Sequence, residues 1–223
     1  MRVLTPEILD FLAPDDPHAM RSRRDLARIN WFMRQGAIMA KALTGYPAPK
    51  LLADLGGGDG RFLLGLAQRL AKRWPGVQAV ILDRQDIVRD ETRERFAALG
   101  WRCEVLRGDI FETLPQIAPD IVVANLFLHH LDDAALARLL ALVSAQAKAF
   151  VTCEPRRSAL ALLGARLVFL LGANHVSRHD AVASVQAGFR GRELSALWPR
   201  GERWHLNECG VFPFTHLFQS HAV

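Results

Sequence analysis

Cysteine is scarce in this chain and scattered. Cys103, Cys153 and Cys209 stand far apart and odd in number among 223 residues, which argues against a disulfide framework and against Cys-x-x-Cys zinc spacing. A reducing, cytoplasmic setting is therefore expected. Blocks of like charge are also missing: 28 Lys and Arg against 23 Asp and Glu give a formal charge of +5, yet the basic residues are spread along the chain. Such a balance favours anionic partners or surfaces, but no dedicated basic arm marks a nucleic-acid binder, and none is expected as a partner. Internal repeats and low-complexity tracts are absent as well.

Long apolar runs are few. The opening "MRVLTPEILDFLAPDDPHAM" is broken by Pro6, Glu7, Asp10 and Pro14, unlike a secretory signal. The most apolar tract, "SALALLGARLVFLLGA" from Ser158 to Ala173, is too short to span a bilayer and carries Arg166 in its middle. It is expected as a buried helix or the wall of an apolar cavity, and no transmembrane segment is expected.

What is present is apolar mass enough for one core, 50% of the residues, in a length that fits one compact domain with trimmings. From Ala19 to Leu43, Leu26, Ile29, Met33, Ala40 and Leu43 recur at helical intervals in one stripe, and the breakers "TGYPAP" follow. Residues 1–45 are thus expected as a helical cap or lid and residues 46–223 as the main domain. There, short apolar runs alternate with helix-length amphipathic ones: Lys50 to Leu55, Arg61 to Arg73, Val77 to Leu82, Asp86 to Leu99, Trp101 to Leu106, Asp120 to Ala124, Asp132 to Ala147 and Ala149 to Cys153. That alternation predicts an α/β fold with a parallel sheet and crossover helices. Arg203 to Cys209 and Phe214 to Ser220, separated by "GVFP", predict a C-terminal antiparallel hairpin.

In such sheets ligands sit beyond the carboxyl ends of the strands, where strand order reverses. The first of these ends is "LLADLGGGDGRFLLGL", Leu51 to Leu66, with four glycines in five positions. Bare backbone there lets a nucleotide-like ligand approach closely. Gly-x-Gly-x-x-Gly is not met, since Arg61 follows Gly58 and Leu63 follows Gly60 by three; a Gly-Lys-Ser/Thr phosphate loop is absent too. The spacing is Asp-x-Gly-x-Gly-x-Gly, headed by Asp54. An acid at that point disfavours a pyrophosphate and suits a ligand bearing an ammonium group.

The pattern resembles the first motif of the class I S-adenosylmethionine-dependent methyltransferases. The resemblance covers roughly Lys50 to Cys153 through "ADLGGGDG", "ILDR", "RGDIFE" and "NLFLHHL" in the family's order. It implies a Rossmann-like three-layer sandwich with a mostly parallel seven-stranded sheet, and S-adenosylmethionine as cofactor. Asp54, Gly56, Gly58 and Gly60 would lie at the methionyl end, Asp83 at the ribose hydroxyls and Arg84 against the adenine face. Asp109 would accept from the adenine amino group beside Ile110, and Asn125 would meet the methionyl portion.

Methyl transfer is a displacement in which alignment supplies much of the rate, and a weakly acidic acceptor gains from a base with near-neutral pKa. His129 and His130, directly after the fourth strand, are the first candidates for that base; the alternative is a histidine that holds the loop. In "NHVSRHD", Asn174 to Asp180, His175 and His179 stand four apart, but without a third ligand no metal is expected. Arg178 and His179 are expected to face an acceptor carrying a carboxylate, phenolate or enolate, or else to open a helix capped at Ser177 or Asp180. The loop "NLFL" lacks the Pro-Pro-aromatic motif of DNA amino-methylating members, and no Pro-Cys nucleophile occurs. The expected reaction is methylation on oxygen, or carbon, of an apolar or aromatic small molecule such as a phenol or quinone precursor of secondary metabolism. The rival readings are an RNA methyltransferase and a non-catalytic S-adenosylmethionine-binding partner protein.

Overall fold

The computed structural model describes residues 1–13, 15–199 and 203–223. Among them, seven strands form one sheet: β1 (Leu51–Leu55), β2 (Gln78–Asp83), β3 (Arg102–Arg107), β4 (Ile121–Asn125), β5 (Ala149–Pro155), β6 (Trp204–Val211) and β7 (Thr215–Ala222). Their order is β3-β2-β1-β4-β5-β7-β6. β1 pairs in parallel with β2 and β4, and the outer parallel pairs are β2–β3 and β4–β5; β7 runs antiparallel between β5 and β6. Strand order reverses between β1 and β4, which puts a crevice at their carboxyl ends.

The inner strands β1, β2, β4 and β5 read as largely apolar runs because helices cover both faces, and the pleat sends alternate residues to opposite layers. Leu52, Ile81 and Val123 join Met39, Leu63, Leu66 and Trp74 on one side. Ala53, Val80, Leu82 and Val122 join Leu136, Leu140 and Phe150 on the other. The first layer is built by α2 (Gln35–Leu43), α3 (Arg61–Leu70) and α4 (Asp90–Ala98); the second by α6 (Asp133–Gln146) and α9 (Glu193–Leu197). A short α5 (Ile110–Thr113) follows β3. Asp132 caps α6, accepting from the Ala135 amide at 2.7 Å.

Two expectations change. The helical region before "TGYPAP" is two helices, α1 (Pro17–Met33) and α2, broken at Arg34, which takes a left-handed conformation with φ 56°. The single stripe therefore splits. Met39 and Leu43 are buried in the main core, whereas α1 buries Ala19, Ser22 and Asp25 against α8 (His175–Ala187). That contact is polar: Asp25 accepts from the Asn174 amide at 2.8 Å and the Ser177 hydroxyl at 3.1 Å.

The second change concerns the tract 158–173. It folds as α7 (Ala159–Arg166) and a 3-10 turn over Val168–Leu171, but only Ala161, Ala165 and Val168 of it are buried. The small Ala161 and Ala165 face inward, where α7 packs on α8, and this leaves the large residues Leu160, Leu163, Leu167, Phe169 and Leu170 exposed. No helix among the described residues is long and apolar enough to cross a membrane.

Candidate active site

The glycine loop leaves β1 in a form that side chains resist. Gly56 and Gly58 have φ 65° and 55°, and a Cβ on Gly56 would stand 2.2 Å from the Phe127 ring. The loop is tied to the second strand: the Gly56 amide donates to the Leu82 carbonyl (2.8 Å) and the Gly58 amide to the Asp83 carboxylate (2.9 Å). Gly60 caps α3 in a left-handed conformation.

Asp54 is buried at the end of β1. Burial, assisted by the charge of Asp83, pushes its pKa up to about 8. One of its oxygens has no hydrogen-bond partner, and neither has the side-chain oxygen of Asn125 at the end of the adjacent β4. A buried acceptor left without a donor costs about 1–3 kcal/mol. Two of them at the strand-order reversal suit a ligand group rich in N–H donors, such as an ammonium.

Asp83 ends β2 and accepts from the Gly58 and Gln85 amides, both at 2.9 Å. Each oxygen keeps a second lone pair for another donor. Arg84 is exposed and stands 3.6 Å from Asp109, which also caps α5 by accepting from the Phe111 amide at 2.9 Å. Ile110 beside it is buried. Asp54, Asp83, Asp109 and Asn125 thus stand at or just beyond the carboxyl ends of four neighbouring strands, along one edge of the sheet.

After β4 the chain turns sharply through Leu126, whose φ of 54° is uncommon for a residue with a side chain, into a 3-10 turn at Leu128–His130. Glu154, near the end of β5, anchors that turn. It accepts from the Phe127 and Leu128 amides (3.1 and 2.9 Å), the Thr152 hydroxyl (3.1 Å) and His129 Nδ1 (2.7 Å). On the other side of the imidazole, Nε2 stands 3.3 Å from Glu7, which also accepts from the Ser184 hydroxyl. Burial alone would lower the His129 pKa; hydrogen bonds and charges from Glu154 and Glu7 outweigh it and raise the pKa to about 9. Both carboxylates titrate below their ordinary range, because pairing with His129 overcomes the upward push of burial.

The two adjacent histidines are thus unlike. His129 is buried, while His130 is more exposed, its ring centroid 4.3 Å from that of His129 and its Nε2 4.0 Å from Glu7. His179 is on α8, its side chain 45% exposed and Nδ1 2.9 Å from Asp180. His175 packs its ring edge-on to His18, and the cap of α8 is Asn174, accepting from the Ser177 amide at 2.8 Å, rather than Ser177 or Asp180. Arg178 lies over the Phe169 ring. Among the described residues, Glu7, His129 and His130 are the one group that gathers donor atoms within 4.8 Å of one another. An ion there would have to displace the Glu7–His129 pairing.

Glu7 and Glu154 escaped the reading of the sequence as partners of His129. Glu154 left a signal, a carboxylate in the otherwise uncharged strand "AFVTCEP". Glu7 left none; it reaches His129 because Asp180 accepts from the amides of Ile8 (2.8 Å) and Leu9 (3.1 Å), fixing the N-terminal segment against α8.

Residues 53–160 match the family described as "Methyltransferase domain". An uncharacterized methyltransferase of Mycobacterium bovis is 43% identical over 94 residues, 41% of this chain and 44% of that protein. The mitomycin biosynthesis 6-O-methyltransferase of Streptomyces lavendulae is 35% identical over 89 residues, 39% of this chain and 24% of that protein. These matches span less than half the length of either relative. Among solved structures, a plantazolicin methyltransferase in complex with a triazolic desmethyl analogue and SAH superimposes with a TM-score of 0.67 at 11% identity, covering 94% of this chain and 92% of that one.

Proposed function

Starting from a chain that belongs, through residues 53–160, to the class I methyltransferases, we propose that it moves a methyl group from S-adenosylmethionine to an oxygen of an apolar or aromatic small molecule. The observation that carries this reading is the pair of unpartnered buried acceptors, on Asp54 and Asn125, beside a glycine loop at the reversal of strand order. Asp54 and Asn125 would hold the methionyl ammonium, Asp83 the ribose hydroxyls, and Asp109 with Ile110 the adenine, with Arg84 over its face. The cofactor supplies an electrophilic methyl on a sulfonium.

The protein's part in the transfer is to align the acceptor and remove its proton. His129 is the base best built for this. Glu154 accepts a hydrogen bond from Nδ1–H, so Nε2 is the atom left to accept from a hydroxyl. In this structure Glu7 faces Nε2 and favours the protonated ring. An acceptor hydroxyl taking the place of Glu7 would find a more neutral imidazole. The N-terminal segment would thus act as a lid whose displacement readies the base. His130 would line the acceptor's approach, and His179 belongs to the anchoring of that lid through Asp180.

Similarity to the mitomycin biosynthesis 6-O-methyltransferase favours phenols and quinols of secondary metabolism as acceptors, in the cytoplasm, where Cys103, Cys153 and Cys209 stay as free thiols. Incubation with S-adenosylmethionine and a panel of phenols, quinols and fatty acids, read by mass spectrometry, tests this. A product heavier by one methyl, lost in His129→Ala, is expected. Methylation of fatty acids or of RNA alone would replace the acceptor class.

A further inference from the structure

The tract 158–173 turns its large side chains outward, and they do not stand alone. Leu160, Leu163 and Leu167 are exposed at i, i+3 and i+7, one face of α7, with Leu163 at 54%; Phe169 and Leu170 extend that face through the next turn, Leu170 at 70%. Phe214 lies against Gly164 on the same helix, and Phe32 at the end of α1 stacks on Phe214 with centroids 6.2 Å apart. Trp31, beside it, is 80% exposed, and Phe212 is exposed as well. Soluble monomers rarely leave an apolar surface of this continuity uncovered.

The charge around this face has one sign. Residues 17–34 contain five arginines and residues 156–178 contain four, against one acid, Asp25. Asp25 is buried and already pairs with Arg28, so it does not offset the surface. Arg24, Arg34, Arg166 and Arg178 are exposed among the apolar groups. A guanidinium on a long stem can remain at headgroup level while its methylenes cover apolar surface.

We propose that this face docks the protein reversibly on an anionic bilayer, with Leu163, Leu170 and Trp31 at the acyl boundary and the arginines on lipid phosphates. A second copy of the chain is the poorer occupant: a two-fold contact sets the same patch against itself and would oppose arginine to arginine. An anionic surface neutralises them instead. This inference is independent of the methyl-transfer reading, because it is read by binding with no methyl donor present.

The test is flotation of the full chain with phosphatidylcholine vesicles, with and without phosphatidylglycerol. About tenfold more protein should float with the anionic vesicles at low salt, and most of that excess should vanish at high salt. Leu163→Glu with Leu170→Glu should abolish flotation, and Arg34→Glu with Arg166→Glu should weaken it. Melting temperatures show whether each variant is folded; should the leucine pair unfold, the arginine pair and the salt dependence of the unaltered protein decide. Equal recovery with neutral and anionic vesicles, no flotation, or a dimer in light scattering that Leu163→Glu dissociates would each overturn the proposal.

Discussion

Glu154 accepts from His129 Nδ1 at 2.7 Å, and both side chains are buried. The proposed base, held in this way, should act mainly in the transition state. His129→Ala is expected to lower turnover about a hundredfold or more while cofactor affinity, measured by calorimetry, stays nearly unchanged. The loss should shrink at high pH, where solvent ionises a phenolic acceptor. His130→Ala should cost far less turnover. Equal, small effects from both would place proton removal elsewhere.

Stability should follow the same cluster. The folded pKa of His129 lies at about 9, above its ordinary 6.5, so its contribution is complete below about 6.5 and disappears as pH rises through 9. Glu7 and Glu154 shift the opposite way, so theirs is present above 4.5 and lost as pH falls. Melting temperature should therefore decline from neutral toward alkaline pH. His129→Gln should flatten that decline; an unchanged slope would assign it to other groups.

Glu7→Gln removes a carboxylate that favours the protonated imidazole. The acidic limb of kcat/KM, which reports the free enzyme, is expected to move to lower pH. The melting temperature at neutral pH should fall as well, because the pairing with His129 that lowers the Glu7 pKa is lost. A limb that does not move would remove Glu7 from control of the base.

Asp54 carries a pKa of about 8 because burial and Asp83 disfavour its charge. Its carboxyl is thus largely protonated at pH 7, and an ammonium bound beside it should expel the proton. Calorimetry in buffers of differing ionisation enthalpy should show proton release that Asp54→Asn diminishes. The raised pKa also means that this group opposes folding increasingly as pH rises from about 4 toward 8, so Asp54→Asn should raise the melting temperature of the empty protein.

The alternating runs after Pro49 made the sheet legible, since strands covered on both faces must be apolar throughout. The four strand-end residues Asp54, Asp83, Asp109 and Asn125 could be placed because strand ends are visible as changes of period. The break at Arg34 could not: it depends on which side of α1 finds polar partners on α8, a tertiary choice. The outward turn of Leu160, Leu163 and Leu167 was hidden for a related reason, because an apolar helix does not reveal that its alanines make the closer contact. Glu7 was out of reach, being 122 positions from His129 in a segment without periodicity.

The most direct measurement is calorimetric titration of the purified protein with S-adenosylmethionine, its demethylated product and NAD. Binding of the first two is expected, weakened in Asp83→Ala by about 1–3 kcal/mol for the lost hydrogen bonds to the ribose, with no comparable affinity for NAD. NAD binding without affinity for S-adenosylmethionine, or S-adenosylmethionine binding indifferent to Asp83→Ala, would contradict the site described above.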